Sequence, residues 1–127
     1  MDEISIELAV ENDAAAVITL FDQSLLAFDR ATITPRIERE AVVIARTEQR
    51  LCGAHLNAGR HVEAIAVRPS HRNRGVGRAM LKEMADRRGP LTASCREQVR
   101  PFFESLGWST YELPNGRYFC YESKTPS

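Results

Sequence analysis

The stretch Ile65–Arg88, IAVRPSHRNRGVGRAMLKEMADRR, constrains this chain most, because an apolar strand ends in a basic, glycine-punctuated turn that at once becomes a helix. The first N–H groups of a helix have no carbonyl one turn back and carry the positive end of the macrodipole, so the main chain alone can hold an anion such as a phosphate there. Gly75 and Gly77 carry no side chain to keep a ligand from that backbone. The turn therefore predicts an anion cradle, although Gly-x-Gly at a helix start serves tight packing as readily as ligand approach. It lacks the lysine and spacing of a P-loop, and it is not the G-x-G-x-x-G of dinucleotide binding.

Length and charge narrow the classes further. The 127 residues suffice for one domain, expected over 1–127, and are too few for two. Seventeen basic residues balance seventeen acidic ones, which argues against nucleic acid or an anionic membrane as partner. Clustering is local instead: Arg68, Arg72, Arg74, Arg78 and Lys82 fall in one short stretch. Such runs are most often a solvated helix face. Cys52, Cys95 and Cys120 lie far apart with no C-x-x-C pair, which predicts reduced thiols and no metal site. The start MDEISIELAV opens on acids where a secretory signal needs bases, and no apolar run nears the ~18 residues of a membrane span, so a cytoplasmic location is expected.

Periodicity supplies the elements. Ile4 to Val10 alternates as a half-buried strand. Asn12 or Asp13 then caps a helix expected to run to about Phe28, with Val17, Phe21, Leu25 and Phe28 on one face. Asp29 to Glu40 contains Pro35 and shows no firm period, so it reads as a loop with at most a turn of helix. Ala41–Arg46, Leu51–Asn57 and His61–Val67 form an antiparallel meander that the Arg68-Pro69 step stops. A helix from about Val76 to Arg87 buries Val76, Met80 and Met84. Leu91–Ser94 is a strand reached by helical crossover and so parallel to its neighbour. Pro101 opens a short helix that Gly107 closes. Strands Trp108–Leu113 and Tyr118–Glu122 flank the hairpin signal Asn115-Gly116, and the tail after Lys124 is expected to fray. The order β-α-β-β-β-α-β-α-β-β predicts an α/β (α+β) fold, a mixed, mainly antiparallel sheet of about seven strands flanked by helices.

The run Val67-Arg68-Pro69-Ser70-His71-Arg72-Asn73-Arg74-Gly75-Val76-Gly77 resembles the GNAT superfamily of acyl-CoA-dependent N-acyltransferases, whose signature Arg/Gln-x-x-Gly-x-Gly/Ala follows a strand ending V-x-P. Arg72, Gly75 and Gly77 fall on the fixed positions. Pro101-Phe102-Phe103-Glu104-Ser105-Leu106-Gly107-Trp108 is similar to that family's second block, and the element order matches along nearly the whole chain. The resemblance implies acetyl-CoA as co-substrate. Backbone amides of Arg72, Asn73, Arg74, Gly75, Val76 and Gly77 would bind its pyrophosphate with help from Arg78. Ile65, Ala66 and Val67 would run beside the pantetheine and stabilise the oxyanion.

An attacking amine must lose a proton, which requires a base within reach. His61 and Glu63 share a strand face and fall where family members often place such a group. Partial burial of Glu63 would favour a base by desolvation. One departure is plain: the tyrosine that protonates the leaving thiolate in the family corresponds to Phe103, which has no proton to give. A thiolate with a pKa near ~8.5 leaves acceptably unaided. Tyr111, Tyr118, Tyr121, Cys95 or water could substitute. The resulting expectation is direct acetyl transfer to a small-molecule or peptide amine in a ternary complex, with a homodimer compatible. The alternative is a non-catalytic acyl-CoA sensor of the same fold.

Overall fold

The structure, a computed structural model, describes residues 3–122, so the expected fraying after Lys124 lies outside the described residues. Seven strands form one sheet in the order β1-β2-β3-β4-β5-β7-β6. They are β1 Ser5–Leu8, β2 Val42–Arg46, β3 Leu51–Ala58, β4 His61–Val67, β5 Thr92–Cys95, β6 Ser109–Glu112 and β7 Tyr118–Tyr121. Every pairing is antiparallel except β4 with β5, as the crossover through a helix requires. The helices are α1 Ala14–Gln23, α2 Arg30–Glu38, α3 Val76–Arg88 and α4 Arg100–Ser105.

Two corrections concern the first half. α1 ends at Gln23, five residues before the expected end, because Leu25 takes the left-handed conformation (φ 62°) and points to solvent, 95% exposed, instead of joining the inner face. Phe28 still reaches the Phe21 ring, edge-on at 5.2 Å, by way of the loop. The segment expected as a loop forms α2. Asp29 caps it by accepting from the Thr32 N–H at 3.0 Å, and Ile33 and Ile37, one turn apart, bury the inner face. Those two contributions outweigh Pro35, whose missing N–H weakens the helix interior. The order is therefore β-α-α-β-β-β-α-β-α-β-β.

The sheet has a core on each side. On one, Val17, Leu20 and Phe21 of α1 and Ile33 of α2 pack on Ile44, Ala54, Leu56 and Ala64. On the other, Val76, Met80 and Met84 of α3 and Phe103 of α4 pack on Val43, Cys52, Val62, Ala93 and Cys120. α3 comes close because β3 presents Gly53 to it: a Cβ there would lie 3.0 Å from Met80 Cε and 3.1 Å from Val76 Cγ1. The start of α3 is thus seated directly on the sheet.

Candidate functional site

β4 and β5 pair only at His61↔Thr92 and Val62↔Ala93. Beyond Val62 the two strands diverge, so the edge of β4 that faces β5 loses its ladder partner. The opening forms a cavity of about 1080 Å³, walled by Glu63–Val67 on one side, by Ala93–Arg96 on the other, and closed by the start of α3. Every residue assigned to cofactor binding from the sequence lies in that wall except Arg74. His61 stands outside the wall, while Glu63 is part of it.

The turn between β4 and α3 has the backbone of an anion cradle. Asn73 and Gly75 both have positive φ (63° and 78°), and the space beside Gly75 is open, with no atom within 4 Å of where a Cβ would stand. The first intrahelical bond of α3 runs from the Ala79 N–H to the Gly75 carbonyl at 2.9 Å. The N–H groups of Val76, Gly77 and Arg78 precede it and have no carbonyl one turn back. Arg72 folds back so that Nε donates to the Val67 carbonyl at 3.1 Å, which fixes the turn against the strand end. Gly77 meets the opposite wall: a Cβ there would lie 3.3 Å from Phe102 Cζ.

Glu63 owes its position to an irregularity with no local sequence mark. Leu56 is opposite Ala64, but Asn57 is opposite Val62, so Glu63 is the extra residue of a β-bulge. Bulges re-aim side chains and recur beside active sites. Here the carboxylate meets Arg36 of α2, whose Nη1 donates to Glu63 Oε2 at 3.0 Å and to the Asn57 carbonyl at 2.8 Å, with Nη2 at 3.4 Å from Oε1. The Glu63 side chain is 36% exposed, so the burial expected of it is not found; a charged partner holds it instead. His61 Nδ1 pairs with Thr92 Oγ1 at 2.8 Å, and its ring stacks near Phe119.

Phe103 is buried, its ring 4.9 Å from that of Trp108, and it contributes packing to the cavity wall. Among the substitute proton donors suggested by the sequence, only Cys95 borders the cavity. Its sulfur lies 3.4 Å from that of Cys120, whose thiol burial pushes up to about 12. Behind the site, fully buried His55 pairs through Nε2 with Asn57 Oδ1 at 2.6 Å, and burial lowers its pKa to about 4. No group of three or more His, Cys, Asp or Glu side chains that could hold a metal comes together among the described residues. Nor is any helix among them long and apolar enough to cross a membrane.

A parallel strand pair that splits beside a left-handed turn and a helix start brings a freed strand edge and the first N–H groups of a helix to one cavity, an arrangement with room and donors for an anionic group. Residues 38–110 match the model of the acetyltransferase (GNAT) domain, and the chain belongs to that family. No curated protein sequence matches it. A GNAT-family acetyltransferase from Listeria monocytogenes shares the fold at TM-score 0.74 and 16% identity, covering 94% of each chain. An Arabidopsis thaliana protein in complex with the bisubstrate analogue CoA-Ac-MVNAL superposes at TM-score 0.74 and 12% identity, over 94% of this chain and 98% of that one. N-acetylglutamate synthase from Neisseria gonorrhoeae, complexed with coenzyme A and N-acetyl-glutamate, matches at TM-score 0.73 and 21% identity, over 94% of this chain but 35% of that one.

Proposed function

We propose that this acetyltransferase-family chain moves an acetyl group from acetyl-CoA to a primary amine by direct attack in a ternary complex. The observation that carries the reading is the divergence of β4 from β5 after Val62 and Ala93, ending at the open N–H groups of α3. The Val76, Gly77 and Arg78 amides receive the pyrophosphate, with Arg72, Arg74 and Arg78 supplying positive charge at the same end. The freed edge of β4 over Glu63–Val67 takes the pantetheine arm as a surrogate strand. A β4 N–H donates to the thioester oxygen as negative charge develops on it.

Glu63 takes a proton from the acceptor's ammonium, directly or through one water, and the free amine so formed is the nucleophile. Arg36 holds the carboxylate in place and remains anchored on the Asn57 carbonyl when the amine arrives. The nitrogen bonds to the acetyl carbon, the carbon–sulfur bond breaks, and the proton remaining on the nitrogen passes through water to the departing thiolate, with no acid from Phe103. His61 supports the same face through Thr92 and Phe119 and does not border the reacting atoms.

Phe103 favours a second reading, binding of acyl-CoA without turnover. Calorimetric titration with acetyl-CoA, followed by thiol release across a panel of amines, separates the two. Transfer predicts micromolar-range binding and multiple turnovers with at least one amine. Binding without turnover on any of them would favour the sensor, and no binding at all would remove both.

A further inference from the structure

β3 buries two polar side chains, His55 and Asn57, completely, and the proposed reaction leaves both without a role. A buried amide costs free energy unless its donors and acceptor are paired. Asn57 is paired at both ends: His55 Nε2 lies 2.6 Å from Oδ1, and Nδ2 donates to the Gly59 carbonyl at 3.2 Å. A carbonyl can only accept, so the amide nitrogen must face Gly59 and the amide oxygen His55, whose Nε2 therefore carries the proton. Together the two bonds leave the Asn57 side chain one orientation.

The main chain of Asn57 is used as fully. Its N–H donates to the Ala41 carbonyl at 2.9 Å, and its carbonyl accepts from Arg36 Nη1 at 2.8 Å. That same nitrogen holds Glu63 Oε2 at 3.0 Å. Asn57 also stands at the register shift itself, opposite Val62, while its neighbour Leu56 is opposite Ala64. A second path joins the same groups. The Gly59 carbonyl accepts from Arg88 Nη1 at 3.0 Å, and Arg88 Nη2 donates to the Arg39 carbonyl at 2.8 Å. Arg39 follows directly on α2, the helix that carries Arg36. Asn57, Gly59, Arg88, the end of α2 and Arg36 thus close a ring of hydrogen bonds, and Glu63 is tied to that ring by the Arg36 guanidinium.

We propose that Asn57 is the positioning residue of Glu63: its buried amide fixes the β3 main chain at the bulge, and its carbonyl, through Arg36, holds the carboxylate at one place in the cavity wall. The proposal rests on Glu63 as the base of acetyl transfer, and it adds the group that places that base. A partly exposed glutamate left to itself samples several rotamers. Displacing a reacting group by about 1 Å can cost about 10²-fold in rate, so a fixed carboxylate transfers its proton from one productive geometry.

The test is Asn57→Ser, whose side chain is too short to bridge His55 and Gly59, with melting curves to establish that the variant folds. With an amine that the wild type acetylates, kcat is expected to fall about tenfold or more, while the Kd for acetyl-CoA stays within about twofold. In a Glu63→Gln background the same substitution should lower kcat by less than about threefold, because a residue that acts through Glu63 then has nothing to place. Equal losses in the two backgrounds, or no loss in either, would overturn the proposal and leave acetyl transfer standing. The Arg36 guanidinium protons give a reading without turnover: in the wild type they should exchange slowly with water and show a nuclear Overhauser effect to the Glu63 side chain. Both signals are expected to vanish in Asn57→Ser. Their loss in a protein that acetylates no amine would support the positioning and remove the transfer, whereas unchanged signals in the folded variant would overturn the positioning. If Asn57→Ser does not fold, Arg88→Met opens the same ring from a half-buried position and should speed Arg36 proton exchange at least about threefold. Unchanged exchange there would overturn the proposal as well.

Discussion

Replacing Gly53 with alanine tests whether the anion cradle depends on how closely α3 sits on the sheet. The new Cβ would lie 3.0 Å from Met80 Cε, 3.1 Å from Val76 Cγ1 and 3.2 Å from Met80 Sδ. Carbon atoms pack best near 3.5–4.0 Å, so every one of these contacts is compressed. Met80 can swing its flexible end aside. Val76 cannot, because it is buried, β-branched and nearly confined to one rotamer in a helix. The first turn of α3 must therefore lift by a few tenths of an ångström, and that turn carries the amides of the cradle. Overpacking of this kind costs about 1–3 kcal/mol. Loss of glycine from a strand interior returns about 0.5–1 kcal/mol. The net destabilisation is about 1–2 kcal/mol, which in a domain of this size lowers Tm by about 4–8 °C. Calorimetric melting reads the first quantity, and titration with acetyl-CoA should show weaker binding in the same variant. Adding Val76→Ala to the variant should recover at least about 0.5 kcal/mol relative to the sum of the single effects. An unchanged Tm with unchanged affinity, or additivity of the two substitutions, would refute the argument that Gly53 seats the cradle.

Two further outcomes follow from the site and its backing. Glu63→Gln should lower kcat by about 10²-fold or more if Glu63 is the base. Stability should change by no more than about 1 kcal/mol, since the Arg36–Glu63 pair is partly exposed; a large fall in Tm with little change in kcat would assign Glu63 a structural role only. The buried His55 predicts acid sensitivity. Its folded pKa, about 4, lies below the ordinary 6.5, so the unfolded state takes up the proton first and stability falls as pH drops from 6.5 toward 4. The full effect approaches about 3 kcal/mol, and denaturant melts of His55→Gln should show a slope flatter by about one proton across that window.

The sequence carried different parts of the fold with unequal clarity, and the difference is physical. Ile65–Arg88 was legible because three local signals agree there: alternating apolar residues, a proline that ends the ladder, and glycines before an amphipathic helix. Its observed elements, β4 and α3, end within a residue of their expected limits. α2 was obscured because Pro35 and only two buried apolar residues masked a helix whose evidence was a single cap, Asp29. The early end of α1 was hidden for the opposite reason, since leucine is a poor occupant of the left-handed region and gives no warning that the chain turns at Leu25. Arg36 could not be attached to Glu63 from the sequence at all. The two are 27 residues apart, and they meet only because α2 exists and β4 is bulged.

That bulge joins two tasks in one strand. On an unbroken β4, alternation would continue from His61 to Val67 without interruption. With Glu63 as the extra residue, Val62, Ile65 and Val67 all pack toward α3, while Ala64 and Ala66 pack toward α1 and α2. The bulged residue is left with its carboxylate against α2, at the point where β5 departs. The freed edge of β4 beyond it is what the proposed cofactor strand would pair with. Glu63 is the one carboxylate among the residues lining the cavity, which is why the proposed base falls on it. Deleting Glu63, the one residue between Val62 and Ala64, would restore regular alternation with Ile65 and Val67 still toward α3, and would remove the carboxylate, so the strand would keep its packing and lose its proposed base.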